Sequence, residues 1–116
     1  MIAGIGVDVV DLARFERAIA STPQLVPRLF AQSERGLVAR SLAGRFAAKE
    51  ALIKALGEST GVRWHDMEVV PDAHGSPGFR VTGGAAALVA ARGITALHLS
   101  IRPDGGVAVA MVVAET

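Results

Sequence analysis

The run from about Leu37 to Leu56, closed by Gly57, carries the strongest periodic signal in the chain and fixes what the rest can fold around. At 100° per residue, Leu42, Phe46, Ile53 and Leu56 fall on one helical stripe, and Gly57 supplies a C-terminal cap. Glu50 and Lys54 lie on the border of that stripe, four residues apart and in the order that favours a helical ion pair. Ala43 and Ala47 line the same border. On a solvated face the pair is a minor surface feature. Beside small side chains, the same two groups fit a shallow, partly buried groove holding a carboxylate and an ammonium.

Ahead of this helix, Ile2 to Val10 reads as a strand rich in β-branched residues. Period two places Ala3, Ile5, Val7 and Val9 on one face and Gly4, Gly6 and Asp8 on the other. Two glycines beside a carboxylate leave backbone bare next to a charge, which suits a ligand or another chain coming close. The plainer alternative is a twisted strand with Asp8 exposed at its end. Asp11 reads as the N-cap of a helix through about Ala20, with Leu12, Phe15 and Ile19 as its apolar stripe and Arg14 and Arg17 as a basic edge. Leu25, Leu29 and Phe30 predict a short helical piece, and Ser33, followed by Glu34, is a candidate cap for a further helix.

Beyond Gly57, His65 to Val70 and Phe79 to Thr82 predict a hairpin around the turn Asp72 to Gly78. Gly84 to Ala91 predicts an alanine-rich helix stopped by Gly93. Ile94 to Arg102 predicts a strand with Leu97, Leu99 and Ile101 facing one way and His98, Ser100 and Arg102 the other. Pro103 to Gly106 turns the chain into a last strand, Val107 to Glu115. The order predicts one α+β domain over residues 1–116, with a mainly antiparallel sheet.

Several classes are excluded. A net charge of +1 argues against a nonspecific nucleic-acid binder. The absence of cysteine removes a thiol nucleophile, a thiolate metal site and a disulfide scaffold, and fits a reducing, cytoplasmic setting. The most continuous apolar stretch, Val107 to Ala114, falls far short of a membrane span, and Met1 to Gly4 does not read as the start of a signal peptide. Hydrophobic residues make up 51% but aromatics only 4%, so small side chains supply much of the apolar count. A core of that kind calls for help from partner subunits.

No Gly-x-Ser-x-Gly elbow is present, and Gly4-Ile5-Gly6 is too short for a dinucleotide fingerprint. His65, His74 and His98 lack helical metal-ligand spacing. Carboxylates and cations remain. Asp8 and Glu50 are candidate ligands of a hard cation such as magnesium, and Lys54, Lys49, Arg45 and Arg102 are candidate phosphate holders.

These residues fall into recognisable motifs. Ile2-Ala3-Gly4-Ile5-Gly6-Val7-Asp8-Val9-Val10-Asp11, followed by Arg14, resembles the start of the bacterial holo-[acyl-carrier-protein] synthases, the small 4′-phosphopantetheinyl transferases. Arg45 to Gly57 resembles their second signature, (F/W)-x-x-K-E-x-x-x-K; Gly75-Ser76-Pro77 is similar to their Gly-x-Pro turn, and the last strands are similar to theirs. The resemblance covers essentially the whole chain. It implies the 4′-phosphopantetheinyl transferase-like fold. It also implies transfer of 4′-phosphopantetheine from coenzyme A to a serine of an apo acyl-carrier protein or carrier domain in fatty acid biosynthesis, releasing adenosine 3′,5′-bisphosphate.

Further implications concern single residues and assembly. The magnesium ligands would be Asp8 and Glu50, with Asp8, Glu50 and Lys54 catalytic; Arg45 and Lys49, with Ser100, would hold coenzyme A. Arg14, joined by Arg17 on the same edge, would dock the acidic carrier protein. Members of this length are homotrimers with sites between subunits. One departure stands out: the family continues Ser-x-(Thr/Ser)-His where this chain has Ser100-Ile101-Arg102-Pro103, so Arg102 becomes the candidate partner of the 3′-phosphate. That departure also favours a competing reading, a noncatalytic oligomeric module that binds a nucleotide or anion. Intact Asp8, Glu50 and Lys54 favour the enzyme.

Overall fold

A computed structural model describes residues 1–116. Strand β1 (Ile2–Asp11) leads into helix α1 (Leu12–Ser21) and the short α2 (Leu25–Leu29). The long helix α3 (Ala39–Leu56) follows, then the hairpin β2 (Met67–Pro71) and β3 (Pro77–Val81). Helix α4 (Gly83–Ala91) and strands β4 (Ala96–Asp104) and β5 (Val107–Glu115) complete the chain. The strands β1, β5 and β4 form an antiparallel sheet in that order, and β2 and β3 form a separate ribbon. This is the expected α+β architecture, an antiparallel sheet packed against a long helix.

The capping residues behave as their chemistry dictates. The Asp11 carboxylate accepts from the Arg14 amide at 2.9 Å and starts α1. Gly57 ends α3 at φ +79°, a left-handed conformation that a Cβ would strain. A second closure of α3 is not visible in the pattern. The Arg92 guanidinium, arriving after α4, donates to the carbonyls of Ala55 (3.2 Å) and Leu56 (2.6 Å) and to Ala3 of β1 (2.8 Å). It satisfies last-turn carbonyls that the helix itself cannot.

The bare backbone of β1 receives neither a ligand nor another chain. It receives α3. A Cβ at Gly4 would lie 1.9 Å from the Ala55 carbonyl oxygen, and one at Gly6 would lie 1.8 Å from that of Ala51. The alanines are therefore core, not the border of a groove: Ala47, Ala48, Ala51 and Ala55 are buried in one cluster with Ala110, Val112 and Ala114 of β5, and Ala43 is buried in a second with Phe15, Phe30 and Ala108. Leu42 and Leu56 are buried as the stripe predicts, while Phe46 and Ile53 are only partly so. The other face of β1 is inverted relative to an ordinary surface strand. Ile5, Val7 and Val9 stand exposed, joined by Met111 of β5.

Local expectations shift in three places. Ser33 caps no helix; a short 3-10 turn spans Gln32–Glu34, and the Ser33 hydroxyl donates to the Glu68 carboxylate instead. His65 and Asp66 belong to a second 3-10 turn, so β2 starts at Met67. The Asp66 carboxylate causes this by accepting from the amides of Arg63 (3.0 Å) and Gly84 (3.1 Å), which ties the turn to the start of α4. Strand β4 starts at Ala96 and runs on to Asp104.

The contact between β1 and α3 leaves no room for one carbon atom. Gly6→Ala is expected to lower unfolding free energy by about 3 kcal/mol or more, because a backbone carbonyl cannot move aside. Gly36→Ala, where a Cβ meets nothing within 4 Å, is expected to change it by under about 0.5 kcal/mol. Urea unfolding of the two variants checks the contrast.

Candidate functional site

Gly4 and Gly6 set the register of β1 on α3, and Asp8, two residues on, points to the same face. There it meets the polar edge of the helix. Lys54 Nζ donates to Asp8 Oδ1 at 2.9 Å and to the Val7 carbonyl at 3.0 Å. The helical Glu50–Lys54 ion pair is thus replaced by a pair between helix and strand. Glu50 remains beside both groups. Burial first, and the Asp8 carboxylate second, push its carboxyl above the ordinary range, while Lys54 pulls the other way. Lys54 is held above its usual value, chiefly by the hydrogen bond to Asp8.

Asp8 and Glu50 open onto a cavity of about 460 Å³ that Asp11, Arg14, Phe15 and Phe46 also line. Two crowded carboxylates are a hard, oxygen-rich donor set. Asp11, though it lines the cavity, is not grouped with them closely enough to make a third ligand. That fits magnesium, which takes one or two protein carboxylates and leaves its other positions to water and phosphate oxygens. Arg14 brings the basic edge of α1 into the same cavity. Arg17 is exposed on that helix, outside the cavity lining.

A second cavity, of about 280 Å³, lies against the N-terminal half of α3. Arg40, Ser41 and Arg45 form the helix wall; Pro71 and Pro77 of the hairpin and Pro103 of β4 close it. No carboxylate lines it. It therefore presents two guanidinium groups among apolar walls, chemistry that suits a phosphate attached to a flat, weakly polar group.

Not every expected residue reaches these cavities. Lys49 does not hold a phosphate: it is wholly buried, and its ammonium donates to Glu34 Oε1 (2.7 Å) and to the carbonyls of Leu29 (2.9 Å) and Trp64 (3.3 Å). An ammonium has three protons, and these three acceptors use them. Burial lowers its pKa despite Glu34. Ser100 and Arg102 lie on the exposed face of the sheet, in register with Met111 and Val109 and hence with Val7 and Val9. Asp8 is on the opposite face, so within one chain neither residue shares its cavity. His98 stands on the exposed face too, with Nε2 2.9 Å from Glu115. Arg40 and the buried Glu34 gave no signal in the sequence pattern: one is exposed on a helix, and the other's partners are mostly far along the chain.

The chain matches the 4′-phosphopantetheinyl transferase superfamily over residues 4–110. It is 65% identical over 115 residues to the holo-[acyl-carrier-protein] synthase of Clavibacter michiganensis subsp. michiganensis, covering 99% of this chain and 97% of that one. The crystal structure of the Neisseria meningitidis holo-[acyl-carrier-protein] synthase superposes with a TM-score of 0.91 at 33% identity, covering all of both chains. The Helicobacter pylori synthase in complex with coenzyme A superposes with a TM-score of 0.84 at 29% identity, over 96% of this chain and 99% of that one.

The raised carboxyl of Glu50 carries a stability consequence. Its contribution is fully present below the ordinary carboxylate range and is lost as pH rises through the raised value. Glu50→Gln is therefore expected to melt at a higher temperature than the parent at pH 7, with the gap closing as pH falls toward 4. Thermal melts across that range, without added metal, test the sign.

Proposed function

The chain belongs to the 4′-phosphopantetheinyl transferase superfamily, as a holo-[acyl-carrier-protein] synthase that moves 4′-phosphopantetheine from coenzyme A to a carrier-protein serine, and from that premise we propose how its residues divide the work. The observation that carries the proposal is the convergence of Asp8, Glu50 and Lys54 where β1 crosses α3, with Arg14 on the same cavity.

Asp8 and Glu50 would hold magnesium at this cavity. When bound there, the ion supplies a template and a Lewis acid for the phosphoryl oxygens. The serine hydroxyl attacks the β-phosphorus, and the bond to the departing adenosine 3′,5′-bisphosphate breaks. Glu50, directly or through water, takes the serine proton. Its raised pKa moves it toward the range where a carboxylate is an effective base at neutral pH. Lys54 stays charged, and its half-exposed side chain is free to turn from Asp8 to the phosphate oxygens of the leaving group. No covalent enzyme intermediate is required, in keeping with a cysteine-free chain that lacks a serine elbow.

The adenosine end of coenzyme A enters the second cavity, where Arg45 and Arg40 meet its 3′-phosphate. Pro103, at the place of the family's histidine, forms wall rather than donor. Arg14 and Arg17 dock the acidic carrier protein. Coenzyme A and a carrier protein of fatty acid synthesis are cytoplasmic substrates, and residues 1–116 form one transferase domain for them.

Ser100 and Arg102 act on a neighbouring copy. The exposed strip of Ile5, Val7, Val9 and Met111 is a large apolar surface of the kind that marks an interface. Covering it with a second copy carries Ser100 and Arg102 toward that copy's site. Closure of such contacts gives the homotrimer.

Incubation with coenzyme A, magnesium and an apo carrier protein is expected to add one phosphopantetheine arm to the carrier, read by mass. Glu50→Gln should lose at least about 100-fold in rate, as expected for removal of a general base. Near-normal transfer by that variant, or transfer unaffected by chelation, overturns the assignment. Arg14→Glu is expected to raise KM for the carrier while leaving that for coenzyme A unchanged. Val7→Asp is expected to shift sedimentation from trimer to monomer and to abolish transfer; a fully active monomer refutes shared sites.

A further inference from the structure

Glu34 is buried to 1% exposure on the 3-10 turn before α3, and none of the chemistry above uses it. Its two oxygens are tethered from three directions. Oε1 accepts from the Ala31 amide at 2.9 Å and from Lys49 Nζ at 2.7 Å. Oε2 accepts from the Val69 amide of β2 at 3.1 Å. Oε2 also faces the Nε of Arg45 at 3.7 Å, too far for a hydrogen bond. That Nε is buried and finds no hydrogen-bond partner at all.

A buried guanidinium nitrogen without an acceptor is costly, and it persists here opposite a fixed negative charge. The same carboxylate thus governs both walls of the second cavity. Through Arg45 it acts on the α3 wall, and through Val69 it anchors the strand whose end, Pro71, forms the hairpin wall. Lys49 completes the arrangement by neutralising Glu34 from beneath, with its ammonium 5.1 Å from the centre of the Phe30 ring.

We propose that Glu34 is a positioning residue for coenzyme A: it holds the Arg45 guanidinium and the β2–β3 hairpin in the geometry that receives the 3′-phosphate end. The proposal rests on the reading of the second cavity as the coenzyme A pocket. Glu34 touches no substrate. It fixes the arginine by charge while leaving the arginine's donors to the ligand.

The test is a double-mutant cycle on Glu34 and Arg45, read as KM for coenzyme A, Kd for adenosine 3′,5′-bisphosphate, kcat and melting temperature. Arg45→Ala is expected to raise KM and Kd about 10-fold or more, the effect of one charge-assisted contact. Glu34→Gln is expected to raise both by a smaller factor, about 3-fold to 10-fold, with kcat at saturating coenzyme A nearly kept. Combining the two is expected to cost no more than Arg45→Ala alone, the non-additivity of residues acting through one contact.

Glu34→Gln leaves the Lys49 charge buried without its partner, so its melting temperature should fall. Glu34→Gln with Lys49→Met removes both charges; it is expected to regain melting temperature and keep the raised KM and Kd. Recovery of affinity together with stability in that pair makes Glu34 a purely structural residue and overturns the proposal. Additive losses in the Glu34–Arg45 cycle overturn it as well. If Arg45→Ala leaves KM and Kd unchanged, the coenzyme A reading of the cavity falls, and the proposal falls with it.

Discussion

The contact of two glycines with two helical carbonyls governs this molecule. Gly4 and Gly6 admit the backbone of α3 to within a distance that no side chain on β1 allows. The position of Asp8 is measured from that seam. The seam fixes which helical turn each strand residue meets, and so delivers Asp8 to Lys54 and Glu50. Arg92 locks one end of the same seam by bonding both the last carbonyls of α3 and the Ala3 carbonyl of β1.

The site that results is electrostatically unfinished. Two carboxylates face one ammonium, and the more buried of the competing demands falls on Glu50. A protein that held its own charges in balance there would have less use for a cation or for phosphates. The second cavity has the opposite excess, two guanidinium groups and no acid among its walls. The two cavities therefore differ in the sign of the charge they leave unbalanced, acidic beside Asp8 and Glu50 and basic beside Arg40 and Arg45.

Much of this was legible locally. The Asp11 cap, the left-handed Gly57 and the alternation of β4 and β5 are decided by residues within a few positions of one another. The motif residues Asp8, Glu50 and Lys54 were found because their spacing is a family signature. What failed was long-range. Lys49 precedes Glu50 by one residue, and a helical step of 100° turns it away into the core; its acceptors there, Glu34 and the carbonyls of Leu29 and Trp64, lie fifteen or more residues away. The glycine face of β1 advertised a close approach without naming its partner. Strand alternation places Ser100 and Arg102 on their face correctly, and what the alternation does not say is that Asp8 lies on the other face of the same sheet. The Asp66 turn leaves no local signature, since its second partner, Gly84, lies eighteen residues on.

The alanine-and-glycine seam has a consequence in entropy. Glycine and alanine have no rotamers to lose, so ordering their side chains on folding costs essentially nothing. The same absence removes the usual means by which a core accommodates change, which is to hop between rotamers. A leucine core can absorb a shift of one element by re-sorting its side chains. Here, at Gly4 and Gly6, the register of β1 against α3 is set by backbone against backbone. Asp8 therefore stands two residues beyond a contact that has no side-chain torsions to relax, whereas the half-exposed Lys54 side chain that meets it keeps all of its own.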